Sequence, residues 1–259
     1  MATIAFIGLG AMGYPMAGRL ARQGHAVTGI DRNSDTQHRW QREFGATPAP
    51  PGPAEAVLIC VTDEAAAQAV FDQGIAHWHP GTLVIEHGTT SARWAREADA
   101  RARAAGLRYC DAPLSGGAAG AGRGELVAML GAHPADADPA IRLMSAYAAS
   151  CLHLGPPGAG QLCKMANQIA IAGVAAGLAQ AQSFSRAAGL DPAQVFDVLA
   201  RGSAASVQLE RLRATLSEPD NNASRTFEWL RKDLELCAEA APRGLALAEL
   251  WTALWESDS

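Results

Sequence analysis

The sequence predicts an α/β fold over its first 155 residues and an all-helical fold after them. Short runs rich in β-branched residues alternate with alanine-rich stretches of helical length, which is the pattern of a doubly wound parallel sheet covered by crossover helices. No strand-like run follows Gly155-Pro156-Pro157-Gly158. We therefore expect a sheet domain over residues 1–160 and a helical C-terminal domain over residues 161–259, joined by a long interdomain helix.

The strands are predicted from short runs that are nearly all apolar, as expected for strands buried on both faces. These runs are residues 3–8, 26–30, 57–61, 82–86, 107–110, 126–130 and 152–154. The long helix is predicted over residues 161–188, a stretch without proline that stops at Gly189. Asp191 and Pro192 then supply an N-cap and a first-turn proline for the next helix.

Composition excludes several classes of partner. The chain has 21 basic and 26 acidic residues, a net charge of −5 and no block of like charges, which argues against nucleic acid or an anionic membrane as partner.

Its five cysteines are odd in number and never form a CxxC pair, so we expect neither disulfides nor a metal site. The N-terminus lacks signal-peptide features, and the longest apolar run, 169–179, is too short for a membrane span. We expect a cytoplasmic protein.

A glycine motif follows the first predicted strand and opens a predicted helix. Gly8-Leu9-Gly10-Ala11-Met12-Gly13 fits GxGxxG, in which the first glycine allows a tight turn, the second lets a pyrophosphate approach and the third lets helix and strand pack closely. A purely structural turn is the alternative for the glycines alone. Asp31 ends the second strand roughly 20 residues later, where a carboxylate can accept hydrogen bonds from the ribose hydroxyls of a dinucleotide. Together they predict a dinucleotide site.

Arg32 leaves the choice of dinucleotide open. A guanidinium at this turn can pair with the 2′-phosphate of NADP, whereas the neighbouring Asp31 would repel that phosphate. Arg32 can also be a solvated loop charge. We expect NAD, with NADP as the alternative.

A second glycine-rich loop, residues 111–124, follows a predicted strand end and has five glycines in fourteen residues. Such a loop can present backbone N–H groups and the Ser115 hydroxyl to a small carboxylate. A flexible connector is one alternative. A second phosphate loop is another, but the lysine of GxxxxGK[ST] is missing. The position at the carboxyl end of a strand favours a loop that anchors a substrate.

Three polar residues share one face of the predicted long helix. Lys164, Asn167 and Gln168 are spaced i, i+3 and i+4 on an otherwise apolar helix. A lysine near apolar surroundings and a cationic nicotinamide can act as a general acid or base, because both disfavour its charged form. The alternative is a lysine that points into water beside ordinary amides.

Four motifs in order resemble those of one family. The first motif is residues 7–17, which contain the first glycines. In the second, residues 111–117 correspond to DAPVSGG and Gly124-Glu125-Leu126 corresponds to GTL. In the third and fourth, residues 158–164 correspond to GxGxxxK and Lys232-Asp233-Leu234 corresponds to KDL. This set is similar to that of the β-hydroxyacid dehydrogenases, which include 3-hydroxyisobutyrate dehydrogenase, tartronate semialdehyde reductase and 6-phosphogluconate dehydrogenase. The chain departs from the family pattern at Gly88, where a serine is usual, and at Glu125, where a threonine is usual.

The resemblance implies an N-terminal Rossmann domain, a helical second domain and a site between them. Lys164 would be the acid–base group, Ser115, Gly116 and Gly117 would hold the carboxylate of a small substrate with Gln168 nearby, and Asn167 would orient substrate or Lys164. A homodimer or homotetramer is also implied. The motif and the resemblance together give the cofactor positions Gly8, Leu9, Gly10, Ala11, Met12, Gly13, Asp31, Arg32, Val61, Thr62, Thr89 and Lys232.

Two weak signals address the substrate. Residues 164–168 are similar to the KxANQ form of tartronate semialdehyde reductases, and Asp31-Arg32-Asn33 also resembles the reductase form. The favoured activity is therefore NAD(P)-dependent reduction of tartronate semialdehyde. The alternatives are a 3-hydroxyisobutyrate or broad β-hydroxyacid dehydrogenase and, from another class, a non-catalytic dinucleotide-binding regulatory module.

Overall fold

The structure, a computed structural model, describes residues 1–45, 53–217 and 230–240, with the backbone alone for residues 214–217. The chain divides into two compact units, Met1–Lys164 and Met165–Ser259. The first unit carries the strands and the second is helical over its described residues.

The first unit is built on an eight-stranded sheet. Its strands are β1 (Thr3–Ile7), β2 (Ala26–Ile30), β3 (Ala56–Ile59), β4 (Leu83–Glu86), β5 (Arg108–Asp111), β6 (Leu114–Ser115), β7 (Leu126–Ala132) and β8 (Ala148–Gly155). Its helices are α1 (Gly13–Arg22), α2 (Ser34–Phe44), α3 (Glu64–Gly74), α4 (Ala92–Ala104), α5 (Gly117–Arg123) and α6 (Pro134–Met144). The α/β class predicted from the sequence is confirmed, and the fold is Rossmann-like.

The sheet is parallel in one half and mixed in the other. Its order is β2-β1-β3-β4-β5-β7-β6, with β8 paired to β7, and the first five of these strands are parallel. The sequence predicted a parallel sheet throughout, but β7 runs antiparallel to β5 and to the short β6, which was not predicted. The glycine-rich connection turns the chain back through β6 and α5, so β7 enters the sheet in the opposite direction.

Apolar cores lie on both faces of the sheet, as a doubly wound fold requires. Every residue of β3 and β4 is buried, which matches their unbroken apolar sequences. One core contains Phe6, Leu20 and Trp40, and the other contains Phe71 and Trp94. Because these large side chains are buried on both faces, the strands are held in place, and the positions of their ends at the edge of the sheet are fixed.

The helices of the second unit follow the predicted stop and start signals. They are α7 (Ala159–Ala187), which begins in the first unit, α8 (Pro192–Leu199), α9 (Val207–Ser217) and α10 (Arg231–Ala240). Gly189 has a φ of +72°, which favours glycine after a helix end. The Asp191 side chain accepts a hydrogen bond from the Ala193 N–H at 3.0 Å and so caps α8. Met165, Phe196 and Leu234 belong to the apolar core of this unit.

Among the described residues, α7 alone is long and apolar enough to cross a bilayer by length and composition, with a mean hydropathy of 1.4 over 18 residues. Core helices of soluble proteins meet the same criterion. Gln161, Lys164, Gln168 and Gln182 are buried polar side chains on this helix. Such a pattern is typical of a helix packed against protein and favours a core helix.

Candidate active site

The three glycines of the first motif differ in what surrounds them. Gly8 has a φ of +98°, and a Cβ there would lie 2.2 Å from the Cys60 carbonyl oxygen. A Cβ on Gly13 would lie 1.9 Å from the Gly8 carbonyl oxygen, because α1 packs directly on the end of β1. A Cβ on Gly10 would have no neighbour within 4 Å. Gly8 and Gly13 are therefore needed by the fold, whereas Gly10 leaves an open backbone surface that a ligand can approach.

Asp31 ties the end of β2 to this glycine loop. Its Oδ2 accepts the Leu9 N–H at 2.7 Å and its Oδ1 accepts the Asn33 N–H at 2.8 Å. The carboxylate is half-buried, and each oxygen has a second lone pair for a further donor. Asp31 thus holds the loop in addition to its predicted role toward ribose hydroxyls.

A cavity of about 340 Å³ lies beside Asp31. Its lining combines open backbone, a carboxylate, a hydroxyl and apolar side chains, which suits the sugar, phosphate and base of a dinucleotide. Of the predicted cofactor residues, the cavity is lined by Gly8, Gly10, Asp31, Arg32, Val61 and Thr62. The structure brings these six together.

The other predicted cofactor residues lie elsewhere. Leu9 is buried in the core, Ala11 and Met12 form the turn before α1, and Thr89 is half-buried in the loop after β4. Gly13 is the first residue of α1, and Lys232 lies on α10 in the second unit. The backbone N–H of Leu9 donates to Asp31 and so helps to hold the glycine loop.

Lys164 lies beside the substrate loop predicted from the second glycine-rich segment. Its Nζ donates to the Leu114 carbonyl oxygen at 2.9 Å, and its side chain is buried. Ser115 follows on β6, and Gly116 and Gly117 have φ values of +124° and +65°, so both need glycine. The alternative of a lysine that points into water is wrong. The structure brings the candidate acid–base group next to the candidate carboxylate loop.

Asn167 and Gln168 belong to a polar chain within the second unit. The Asn167 amide donates to Gln168 Oε1 at 2.8 Å, and Gln168 Nε2 donates to Asp233 Oδ2 at 2.6 Å. Lys232 Nζ lies 3.8 Å from Asp233 Oδ1. Because Gln168 is buried and engaged at both ends of its amide, it orients Asn167 and Asp233. The KDL motif is thereby linked to the face of α7 that carries Asn167.

Two buried side chains that sequence reasoning missed hold the start of α7. The Asp111 carboxylate accepts the N–H groups of Gly158 at 2.6 Å and Gln161 at 2.8 Å. The Gln161 amide accepts the Thr90 N–H at 3.1 Å and donates to the Gly88 carbonyl oxygen at 2.8 Å. Asp111 lies in the motif at residues 111–117, and Gln161 lies in the motif at residues 158–164. Membership of these motifs was the only sequence signal for a role of either residue. Their roles follow only from contacts between segments distant in sequence.

His87 is a third buried polar residue near the substrate loop. Its Nδ1 lies 2.8 Å from the Ala112 carbonyl oxygen and its Nε2 lies 2.9 Å from the Tyr147 hydroxyl. Because a carbonyl can only accept, Nδ1 carries the proton and Nε2 accepts from Tyr147. Burial lowers the pKa of His87 to about 4, so the ring is neutral at pH 7 and supports the loop.

Glu86 ends β4 in the interior of the first unit. Its Oε2 accepts the Tyr109 hydroxyl at 2.7 Å and the Trp94 indole N–H at 3.1 Å, while Oε1 is buried with no hydrogen-bond partner among the described residues. Burial raises the pKa of Glu86 to about 7, and the adjacent Asp111 carboxylate, its partner in the β4–β5 register, adds to this. The proton that Glu86 retains stabilises this part of the fold at acidic pH.

Glu86→Gln is therefore expected to stabilise the protein at alkaline pH. The folded pKa lies above the unfolded value, so the wild-type contribution is complete below pH 4.5 and is lost as the pH rises through about 7. At pH 8 the neutral amide avoids a buried charge worth on the order of 3 kcal/mol. Urea unfolding at pH 5 and pH 8 measures the difference.

The control for this experiment is Glu97→Gln, which removes an exposed carboxylate from α4. Its effect on the free energy of unfolding should be small and nearly independent of pH. Equal stability differences between Glu86→Gln and the wild type at pH 5 and pH 8 would contradict the raised pKa of Glu86.

No group of three or more His, Cys, Asp or Glu side chains suited to a metal ion occurs among the residues that the structure describes.

Comparison with known proteins identifies the family. Residues 3–155 match the family described as the NAD binding domain of 6-phosphogluconate dehydrogenase. Residues 158–256 match the family described as NAD-binding of NADP-dependent 3-hydroxyisobutyrate dehydrogenase. The chain belongs to the β-hydroxyacid dehydrogenase family. The predicted family is thereby confirmed.

Relatives of this β-hydroxyacid dehydrogenase cover nearly all of its length. It is 41% identical over 251 residues to an uncharacterized oxidoreductase of Shewanella frigidimarina, covering 94% of this chain and 86% of the relative. It is 34% identical over 261 residues to the NAD-dependent L-serine dehydrogenase of Pseudomonas aeruginosa, covering 93% and 86%. It superposes on Mycobacterium tuberculosis 3-hydroxyisobutyrate dehydrogenase, solved with L-serine, with a TM-score of 0.79 at 27% identity, covering 96% of this chain and 92% of that chain.

The family assignment establishes the general activity. This β-hydroxyacid dehydrogenase is an NAD(P)-dependent oxidoreductase that acts on the CH–OH group of a small hydroxy acid. The non-catalytic module considered above is therefore wrong. The names of the relatives favour the predicted alternative, a 3-hydroxyisobutyrate or broad β-hydroxyacid dehydrogenase, over the tartronate semialdehyde reductase that was favoured first.

Proposed function

We propose that this enzyme oxidises a short carboxylic acid that carries a primary β-hydroxyl group, of the class of 3-hydroxyisobutyrate and L-serine, to its semialdehyde, and catalyses the reverse reduction. The observation that carries this proposal is the buried Lys164, whose Nζ is hydrogen-bonded to Leu114 immediately before the 115–117 loop. That arrangement sets one titratable cation beside the backbone of residues 115–117. A carboxylate and a hydroxyl on neighbouring carbons can use both at once.

Each candidate residue has a proposed role. Ser115, Gly116 and Gly117 bind the substrate carboxylate, with the Ser115 hydroxyl and backbone N–H groups as donors. Lys164 exchanges the proton of the substrate oxygen. Asn167, held by Gln168, orients the substrate or Lys164. Gly8 to Gly13, Asp31, Arg32, Val61, Thr62, Thr89 and Lys232 bind the dinucleotide.

The chemistry divides between cofactor and protein. NAD(P), when bound in the cavity beside Asp31, would supply the hydride-transfer chemistry. In oxidation, the neutral Lys164 amine accepts the hydroxyl proton as the C–H bond breaks and the C=O bond forms. In reduction, the Lys164 ammonium donates that proton to the carbonyl oxygen. The Leu114 carbonyl oxygen accepts one Nζ hydrogen at 2.9 Å and so holds the Lys164 side chain at the start of the 115–117 loop.

The proposed cofactor is NAD. Asp31, already fixed by the N–H groups of Leu9 and Asn33, presents a negative charge at the edge of the cavity. This charge accepts ribose hydroxyls and repels a 2′-phosphate. Arg32 is exposed on the same edge and would be the group that accommodates NADP.

A substrate panel tests the proposal. 3-Hydroxyisobutyrate, L-serine, glycerate and 3-hydroxypropionate are each assayed with NAD⁺ and with NADP⁺ by the absorbance of the reduced cofactor. We expect the highest kcat/KM with 3-hydroxyisobutyrate or L-serine and NAD⁺. A clear maximum with glycerate would restore the tartronate semialdehyde assignment. No turnover with any of the four, in protein that binds NADH, would rule out the proposed substrate class.

We also propose that the enzyme is a cytoplasmic homodimer or homotetramer. Support for assembly is the exposure of large apolar side chains in the second unit, among them Phe184, Leu190, Val198 and Val207. The mass of the protein in solution measures the assembly state.

A further inference from the structure

The start of α7 is fixed by the last residue of β5. The Asp111 carboxylate accepts the Gly158 N–H at 2.6 Å through Oδ1 and the Gln161 N–H at 2.8 Å through Oδ2. The first N–H groups of a helix have no partner within the helix, and a buried helix end needs acceptors from elsewhere. Asp111, which is fully buried, supplies these acceptors from a different element of the sheet.

Two glycines make room for this carboxylate. A Cβ on Gly131 would lie 2.3 Å from Asp111 Oδ1, and a Cβ on Gly160 would lie 2.8 Å from Oδ2 and 2.3 Å from the Met129 carbonyl oxygen. Any side chain at either position would displace Asp111 or the helix. The close approach of β5, β7 and α7 at this point therefore depends on glycine at both positions.

The same segment also binds the Lys164 ammonium group. Leu114, three residues after Asp111, accepts the Lys164 Nζ at 2.9 Å, and Lys164 follows Gly160 by about one helical turn. The start of α7 and the Lys164 ammonium group are therefore both hydrogen-bonded to the short segment 111–114. A shift of the helix start relative to residues 111–114 would move Nζ relative to the 115–117 loop.

We propose that Asp111 is a positioning residue for Lys164: its carboxylate sets both the location of the helix that carries the lysine and the charge at the end of that helix. The proposal rests on the proposed function, in which Lys164 is the acid–base group. Asp111 itself is enclosed by protein and does not touch the reacting atoms.

The electrostatic part follows from the helix dipole. The N-terminus of a helix carries a partial positive charge, which a carboxylate offsets. Without the Asp111 charge, Lys164 in the second turn of α7 faces an uncompensated positive helix end, which disfavours the ammonium form. The neighbouring titratable groups include Glu86, paired with Asp111 in the β4–β5 register, together with Tyr109 and Cys110 on β5. Burial raises the pKa of Asp111 to about 6, so its carboxylate is charged at neutral pH.

Asp111→Asn tests the proposal. We expect kcat to fall about 10- to 100-fold, the scale of a misplaced reacting group, with substrate KM and NADH affinity changed less than about twofold. The limb of the pH–rate profile that reports Lys164 should move to lower pH. Asp111→Ser, which keeps one small acceptor and no charge, is the second variant and should show the same pattern.

The matched control is Asp136→Asn. Asp136 is also a buried carboxylate of the first unit; it lies on α6 and accepts a hydrogen bond from Arg103 at 2.8 Å. It should lose stability but keep the wild-type kcat and pH–rate profile. If Asp111→Asn and Asp136→Asn lower activity equally, or if neither Asp111 variant folds, Asp111 is a folding residue and the proposal is overturned.

A double-mutant cycle separates this proposal from the proposed function. If Asp111 acts through Lys164, Asp111→Asn should have little further effect on kcat in a Lys164→Ala background. Additive losses would overturn the positioning role. An active Lys164→Ala enzyme would instead overturn the acid–base role, whereas an inactive Lys164→Ala with a fully active Asp111→Asn would overturn the positioning role alone.

Discussion

Lys164→Ala is expected to lower kcat by at least about 10²-fold, the scale of general acid–base catalysis, and to leave cofactor binding intact. The lysine is buried, and its Nζ is held 2.9 Å from the carbonyl oxygen of Leu114, the residue before the 115–117 loop. The dinucleotide cavity is lined by other residues. Steady-state rates with the best substrate of the panel and NADH fluorescence titration measure the two quantities.

Lys164→Arg is the control that separates charge from proton exchange. A guanidinium keeps the positive charge but stays protonated at all practical pH values, so it cannot accept a proton in oxidation. We expect it to be as impaired as Lys164→Ala in that direction. Added methylamine should partly restore the Ala variant, because a small amine can enter the space left by the side chain. Full activity of either variant would end the acid–base assignment.

The elements of the fold followed from local sequence, whereas the sheet geometry did not. Gly189 and Asp191 predicted one helix end and the next helix start because such signals act within a few residues. The antiparallel direction of β7 was not predicted, because a run of apolar residues looks the same in a parallel and in an antiparallel strand. It depends on the turn through β6, where two residues carry too little pattern to predict a strand.

The site was predictable where residue type alone is informative. Of 21 basic residues only Lys164 and Lys232 are lysines, and both fall at lysine positions of the family motifs. The contacts of Asp111 and Gln161 could not be predicted, because they join residues about 50 and 70 positions apart and depend on the sheet order. The substrate could not be predicted from the sequence either. Gln168 donates a hydrogen bond to Asp233, so its identity carries little information about the substrate.

The second large effect is expected at the first glycine motif, where Gly13→Ala and Gly10→Ala should fail in different ways. In Gly13→Ala the new methyl group would lie 1.9 Å from the Gly8 carbonyl oxygen, so α1 must move away from β1. We expect a loss of about 3 kcal/mol in the free energy of unfolding, the upper end for an overpacked site. Urea denaturation measures it.

Gly10→Ala has no such steric conflict, because a Cβ there meets no atom within 4 Å and Gly10 is not among the glycines with positive φ. Its stability should be unchanged or up to about 1 kcal/mol higher, since alanine restricts the unfolded chain. The methyl group instead occupies the backbone surface offered to a pyrophosphate, so the Kd for NADH should rise at least about tenfold.

Gly173→Ala on the exposed side of α7 is the matched control, because a Cβ there also meets no neighbour within 4 Å. It should keep the wild-type Kd for NADH and unfold at the same or a higher urea concentration. If Gly10→Ala also binds NADH normally, the pyrophosphate does not approach this glycine, and the dinucleotide must be placed elsewhere along the cavity. If Gly10→Ala unfolds as readily as Gly13→Ala, its glycine serves the fold and carries no information about the cofactor.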